Sequence, residues 1–248
     1  LKNNLANLNI PLYIFYDMPE NVLPKLVAEN AITGIFLQKE WTPDEVLINN
    51  NVKDKINRST IKWVETYDQF LIHPDDIPYS DFDKIPEVFT EFRKKCEKES
   101  KIRSCVSKIS MPVENFFETS KIIPSLEDLG LENFKLHKNS AFPFRGGETN
   151  ALKRIENYFF ETENLSEYKK TRNGLIGESY SSKLSAWLAN GSISARTIYW
   201  EVQNYEREIC KNEDTYWLIF ELIWRDYFKY ISLKHGEKIF KLNGILGK

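Results

Sequence analysis

At 248 residues, with 42% hydrophobic and 14% aromatic content, the chain has enough apolar mass for a real core in one large domain or two smaller ones. The net charge of −2 excludes a global basic footprint for nucleic acid. Residues 1–140 hold 18 basic against 22 acidic side chains and residues 141–248 hold 16 against 14, so a local basic rim is confined to the second half. No apolar run approaches the ~20 residues that cross a bilayer, and the N-terminus lacks the succession of a signal peptide. Cys96, Cys105 and Cys210 are odd in number and without C-x-x-C spacing. That argues against a disulfide framework or zinc site and fits a reducing, intracellular compartment.

Taken in chain order, the first half alternates strands and helices. Pro11 to Tyr16 is an apolar run of strand length, followed by a helix from about Glu20 to Asn30 with Pro24 in its early turns. Ile32 to Leu37 reads as a second, buried strand. Thr42-Pro43-Asp44-Glu45 forms a capping box, with Thr at the N-cap, Pro at N1 and Glu at N3. Ile61 to Tyr67 reads as a third strand. This alternation over residues 1–67 predicts a partial α/β domain, a doubly wound parallel sheet covered by helices. No G-x-G-x-x-G follows any strand, so an ordinary Rossmann cofactor site is not indicated.

Residues 68–140 read as a connector. Asp75, Asp76, Asp81 and Asp83 crowd one polar stretch, but no His or Glu completes a calcium-type spacing, and a solvated acidic loop is expected. Glu87 to Lys98 is a short charged helix. From Gly146 onward the chain reads as all helix, with a boundary near residue 141. Glu148 to Phe160 is amphipathic, placing Leu152, Ile155, Tyr158 and Phe159 on one side. Ser194 caps a helix to about Cys210, and Asp214 caps the next, which runs to about Lys234 before Gly236 stops it.

Three constellations carry possible chemistry. Ser181, Ser182, Lys183, Leu184 and Ser185 combine hydroxyls, the N–H groups of a helix start and a lysine, a set that suits an anion. From the residues alone, plain helix capping is the favoured account. Glu221, Trp224 and Arg225 are spaced three and four apart, so all three lie near one helix face. The ordinary account there is an intrahelical ion pair beside a core tryptophan. Lys39-Glu40 ends the second strand, where ligands of open α/β sheets bind, but from the residues alone a surface ion pair is the favoured account. His73, His137 and His235 are too scattered for a metal site or a triad. Trp187, Trp200, Trp217 and Trp224 suit either core packing or electron hopping.

Arg145-Gly146-Gly147-Glu148, Tyr168, Thr171-Arg172-Asn173-Gly174, Tyr180-Ser181-Ser182-Lys183, Trp187-Leu188-Ala189, Ser194, Arg196 and the run from Glu221 to Tyr227 occur in an order with a known parallel. The chain resembles the photolyase/cryptochrome flavoproteins, most specifically the cryptochrome-DASH branch. The resemblance is strong over residues 141–248 and looser over 1–140.

The resemblance implies that 141–248 is part of a helical FAD-binding domain. Ser181 to Ser185 would contact the pyrophosphate and ribityl chain, and Tyr168 would be an aromatic contact of the flavin site. It further implies that Glu221 and Trp224 face a cyclobutane pyrimidine dimer, that Arg225 lies on the flavin side, and that Glu40 binds a folate antenna, methenyltetrahydrofolate. The implied activity is light-driven electron transfer from reduced FAD to a dimer flipped out of damaged, single-stranded DNA. A monomer is expected. Leu184, Ala186 and Ala195 depart from the family's usual Phe, Pro and Pro. Two alternatives remain: a blue-light photoreceptor that signals without repair, and a chain that is inert by itself. The second follows because, relative to the family, the N-terminal start and the C-terminal half of the flavin domain are expected to be missing.

Overall fold

The computed structural model describes residues 1–56, 61–112, 123–133 and 135–247, which form two compact units. The first comprises Leu1–Thr66 and Val106–Lys135, the second Tyr67–Cys105 and Leu136–Lys248. The stretch 68–140 expected as a connector is therefore shared between them, and its residues 113–122 and 134 lie outside the described residues. None of the described helices is long and apolar enough to cross a membrane.

The first unit is built on a β-α-β element. Helix α1 (Pro19–Glu29) precedes strand β1 (Gly34–Gln38), which leads through α2 (Pro43–Lys55) to strand β2 (Lys62–Thr66). The strands pair in parallel, with Gly34 opposite Lys62 and Gln38 opposite Thr66, and α2 is the crossover that a parallel pair requires. Val52, Ile56 and Ile61 are buried together, and Leu23, Val27, Ile35 and Trp63 pack against them. Burial of each such side chain contributes ~1.5–3 kcal/mol. Pro24 lacks the N–H that would bond to Glu20 O one turn earlier. Lys55 Nζ takes that carbonyl instead, at 3.1 Å.

Three expectations change here. Pro11–Tyr16 is not assigned as a strand, and Pro11 has no N–H to donate to one. The β1 strand is also not buried on both sides. Ile35 and Leu37 are half-buried while Phe36 between them is 69% exposed, the two-residue alternation of a sheet with one covered face. At α2, Thr42 is the N-cap as expected, but its hydroxyl donates to the Glu45 carboxylate rather than accepting from the N3 amide. That bond holds the Glu45 carboxyl below the usual range.

The second unit packs around one long helix. Its helices include α3 (Phe89–Glu99), α4 (Glu148–Ile155), α5 (Ser185–Ala189), α6 (Ala195–Glu208) and α7 (Glu213–His235), with a single helical turn at Tyr168–Thr171. Asn212, not Asp214, caps α7: its side chain accepts from Thr215 N–H while the Thr215 hydroxyl accepts from Asn212 N–H, a reciprocal capping box. Asp214 is instead buried and accepts from Lys170 N–H at 3.2 Å. Gly236, at φ +53°, ends the helix in a conformation that L side chains rarely adopt.

The inner face of α7 meets the chain segment 69–86 through polar bonds as well as apolar packing. Asp226 is fully buried and accepts from the N–H groups of Leu71 (3.1 Å) and Ile72 (2.8 Å), while the Tyr230 hydroxyl donates to Ile72 O at 2.6 Å. Arg103 pairs with Asp76 at 2.6 Å, so part of the acidic stretch is an ion pair and not only a solvated loop. Helix α4 continues into a π-helical stretch, Glu156–Glu161. Its buried stripe is Ala151, Arg154, Ile155, Tyr158 and Phe159, and Leu152, expected inside, is 40% exposed. The true stripe follows the i, i+3, i+4, i+7, i+8 rule and has an arginine in it.

Candidate functional site

A cavity of about 720 Å³ opens in the second unit, within the size range of ligand sites. Tyr168, Ser181, Ser182, Lys183, Leu184, Ser185, Glu221 and Arg225 all line it, so most of the residues singled out in the sequence share one concavity. Trp224 is not among the lining residues. Its ring stacks on Phe89 (centroids 3.5 Å, planes 14° apart) and on Phe228 (5.4 Å, 25°). Helix geometry explains the split. At about 100° per residue, Arg225 lies about 40° to one side of Glu221 and Trp224 about 60° to the other. Leu218 and Leu222, also lining, fall on the Arg225 side.

The serine turn owes its shape to one backbone conformation. Lys183 has φ +63°, in the left-handed region, and Leu184 follows with φ −72°, ψ −12°. Successive left- and right-handed residues turn consecutive N–H groups toward a common point, a nest that suits an anion. Helix α5 has only five residues, so its dipole adds little, and the nest, the hydroxyls and the lysine carry the anion chemistry. Ser182 is buried, and Lys183 Nζ lies 3.4 Å from the centroid of the Tyr180 ring. Gly174 permits the close approach of that ring's chain: a Cβ there would lie 2.8 Å from Tyr180 Cβ.

The opposite wall is α7. Glu221 Oε1 pairs with Arg172 Nη1 at 2.6 Å, both side chains about one-third exposed. Arg225 donates to Gln69 O at 2.7 Å and to Leu188 O at 3.5 Å. The ion pair of Glu221 is therefore with a loop residue, not with Arg225 four residues on. Burial lowers the Arg225 pKa, and Asp226 opposes that shift. Burial raises the Tyr168 phenol to about 12, and the nearby Glu221 charge pushes the same way. At neutral pH Tyr168 is thus a neutral ring with a hydroxyl to donate. Glu40 belongs to the first unit, just past β1, where it accepts from Gln38 Nε2 at 2.5 Å.

Sequence reasoning missed two residues that bear on the site, one lining the cavity and one behind the serine turn. Arg172 was visible only as part of a motif, because its partner lies 49 positions away and no periodicity links a loop to α7. Arg154 is 3% exposed and bonds to the carbonyls of Glu178, Ser181 and Ser182 behind the turn. The correct helical stripe would have flagged it as a charge on an apolar face.

The residues fit the phosphate end of a dinucleotide: a nest, three serine hydroxyls and a lysine at one wall, and a neutral tyrosine nearby. Among the described residues no group of His, Cys, Asp and Glu is arranged to hold a metal ion.

A family model described as DNA photolyase matches residues 1–113. The chain is 40% identical to a cryptochrome DASH of Gloeobacter violaceus over 248 residues, covering 100% of this chain and 49% of that protein. It thus spans about half the length of the curated relatives it matches. Among solved structures, the Synechocystis cryptochrome superposes with a TM-score of 0.86 at 37% identity, over 93% of this chain and 48% of that one. An archaeal photolyase from Sulfolobus tokodaii, solved with two FAD molecules, shares the fold at a TM-score of 0.59 and 18% identity, over 96% of this chain and 47% of that one.

Proposed function

Because the chain belongs to the photolyase/cryptochrome family, we propose that it forms part of a blue-light flavoprotein of the cryptochrome DASH type. In this reading the cavity holds FAD, and the whole protein splits cyclobutane pyrimidine dimers in damaged, single-stranded DNA. FAD, when bound, supplies the light absorption and the transferred electron. The Lys183–Leu184 nest and the Ser181, Ser182 and Ser185 hydroxyls bind its pyrophosphate and ribityl chain. Tyr168 packs near the flavin as a neutral ring, Arg225 fixes the flavin side of α7, and Glu221 and Trp224 are assigned to the dimer.

The observation that carries this reading is the left-handed turn at Lys183, set in the same cavity as Glu221 and Arg225. Titration of the purified chain with FAD tests it, beside a version extended at both ends to the length of the relatives. Binding by either form, lost on substituting Ser181, Ser182 and Ser185 by Ala, supports the site. Binding by the longer form only means that this chain is inert alone. Binding by neither refutes the flavin assignment.

A second reading, light sensing without repair, is favoured by two details. Glu221 is engaged by Arg172, and Trp224 stacks on Phe89 outside the cavity lining. Loss of dimer from an irradiated single-stranded oligonucleotide separates the two readings in the longer form. For the first unit we propose Glu40 as a contact to a folate antenna (methenyltetrahydrofolate), on its position at the carboxyl end of a parallel strand. A Glu40→Gln change should remove the folate absorption band and leave the flavin bands in place.

A further inference from the structure

We infer that Arg154 is the positioning residue of the anion-binding turn: its guanidinium holds the backbone of 178–182 so that the donors of Ser182 and Lys183 turn toward the cavity. Arg154 stands on the buried stripe of α4, 3% exposed. Its Nε donates to Ser182 O at 3.1 Å, and its Nη2 donates to Glu178 O at 2.9 Å and Ser181 O at 3.1 Å. Its Nη1 donates to Asn157 Oδ1 at 3.1 Å, and the rings of Phe144 and Tyr158 lie 4.7 and 4.8 Å from the guanidinium carbon. Each of these bonds goes to a neutral group, and the nearby Glu178 charge favours the guanidinium.

Peptide geometry turns those bonds into a statement about the other side of the chain. In a trans peptide unit the carbonyl of one residue and the N–H of the next point in opposite directions. Carbonyls of Ser181 and Ser182 aimed at Arg154 therefore direct the N–H groups of Ser182 and Lys183 away from it. Ser182 and Lys183 line the cavity, and Arg154 does not. The same fork fixes the residue that enters the left-handed region, Lys183, by holding the carbonyl just before it.

A purely structural role does not account for the choice of residue. A buried guanidinium bonded directly only to neutral groups costs free energy that the Glu178 charge offsets in part, and a hydrocarbon side chain of similar volume would fill the stripe at less cost. What the arginine adds is a planar fork that satisfies three carbonyls at once and a positive charge one peptide layer behind the nest. Lysine supplies the charge without the fork. The arrangement thus orients the N–H groups and biases their surroundings toward a negative ligand.

The identity of the ligand rests on the flavin reading above; the clamp itself does not. The test is amide hydrogen exchange and ligand titration of the whole chain and its Arg154→Met and Arg154→Lys variants. FAD, riboflavin and inorganic pyrophosphate serve as probes. The expected result is ~tenfold or faster exchange at residues 181–184 in Arg154→Met with α7 protection unchanged. FAD and pyrophosphate affinity should fall ~tenfold or more, equivalent to ~1.4 kcal/mol. Riboflavin, which has no pyrophosphate, should bind as before, and Arg154→Lys should recover part of the anion affinity but not the amide protection. If neither flavin binds the unmodified chain or its extended form but pyrophosphate does so in an Arg154-dependent way, the flavin reading fails and the clamp stands. Equal weakening of FAD and riboflavin, unchanged exchange at 181–184, or no binding of pyrophosphate and FAD by the unmodified chain would overturn the inference. If Arg154→Met does not fold, Arg154→Lys still decides through the same exchange and titration.

Discussion

Arg172 and Glu221 are joined by a 2.6 Å ion pair that ties the loop after the Tyr168–Thr171 turn to the middle of α7. The pair is only partly shielded, so it contributes at most ~1 kcal/mol to stability. Its larger effect is on the availability of the carboxylate. Glu221→Gln in the full-length protein should reduce dimer repair ~tenfold or more, as expected for an altered hydrogen bond at the position where charge develops, with flavin binding intact. Arg172→Gln should leave the melting temperature within a few degrees and free the Glu221 carboxylate. Parallel losses of repair and flavin in Glu221→Gln would remove its assignment to the lesion.

Asp226 makes stability depend on pH. Burial raises its carboxyl to about 7 against the pull of two backbone N–H donors and nearby Arg225. The folded state therefore holds a proton that the unfolded chain, with a carboxyl near ~3.9, has released. This contribution is fully present below the unfolded value and is lost as pH rises through about 7. Urea melts at pH 5 and pH 8 should show a fall in stability that is shallower in Asp226→Asn. The Asn variant should itself lose ~1–3 kcal/mol, because its amide NH2 cannot accept from a backbone N–H. Identical pH slopes in the two proteins would count against this account.

Lys183 holds φ +63° at a cost that glycine would not incur. Relative to Lys183→Ala, Lys183→Gly should be more stable by ~1 kcal/mol, since only the alanine retains the steric penalty of the left-handed region. Both should bind pyrophosphate more weakly than the unmodified chain. Thermal melts of the three proteins rank them directly.

Gly174 is required for a different reason, close approach rather than backbone sign. A Cβ there would lie 2.8 Å from Tyr180 Cβ and 2.9 Å from its Cγ. Gly174→Ala should displace Tyr180, uncouple it from Lys183, and cost ~1–3 kcal/mol by overpacking. Tyrosine fluorescence and a denaturant melt would register both effects.

The cap of α7 gives the clearest stability test. Asn212→Ala removes the acceptor for Thr215 N–H and should cost ~0.5–2 kcal/mol. Asp214→Ala should cost less through capping and more through the lost bond to Lys170 N–H. Comparison of the two by chemical denaturation separates the contributions.

How much of this was legible in the sequence depended on the range of the interaction. Local signals read well: Ser194 at the start of α6, Thr42-Pro43 at the start of α2, and Gly236 at the end of α7 all act within one turn. The cap of α7 was misplaced by two residues because Asn212, Glu213 and Asp214 are all plausible N-terminal residues, and only the partner Thr215 distinguishes them. Pro11–Tyr16 had the composition of a strand, but pairing is a property of two segments and one run cannot report it. Leu152 and Arg154 exchanged places because hydrophobicity outweighed geometry in choosing the stripe. Within the site, the Ser181–Ser185 turn and Glu221 were found through the order of motifs. Their mutual placement, the split between Trp224 and Arg225, and the Arg172 bond depend on distant residues meeting.

The division of the chain into units that are not continuous in sequence bears on how the protein is made. Ile72 N–H finds its acceptor on Asp226, 154 residues later, and Tyr227 reaches back 141 residues to Pro86 O. During synthesis the apolar segment that includes Phe70, Leu71, Phe89 and Phe92 leaves the ribosome well before α7 exists to cover it. Such late closure of long loops slows folding and leaves sticky surface waiting. The nascent protein is thus exposed to chaperones and to self-association until α7 has emerged to cover that surface.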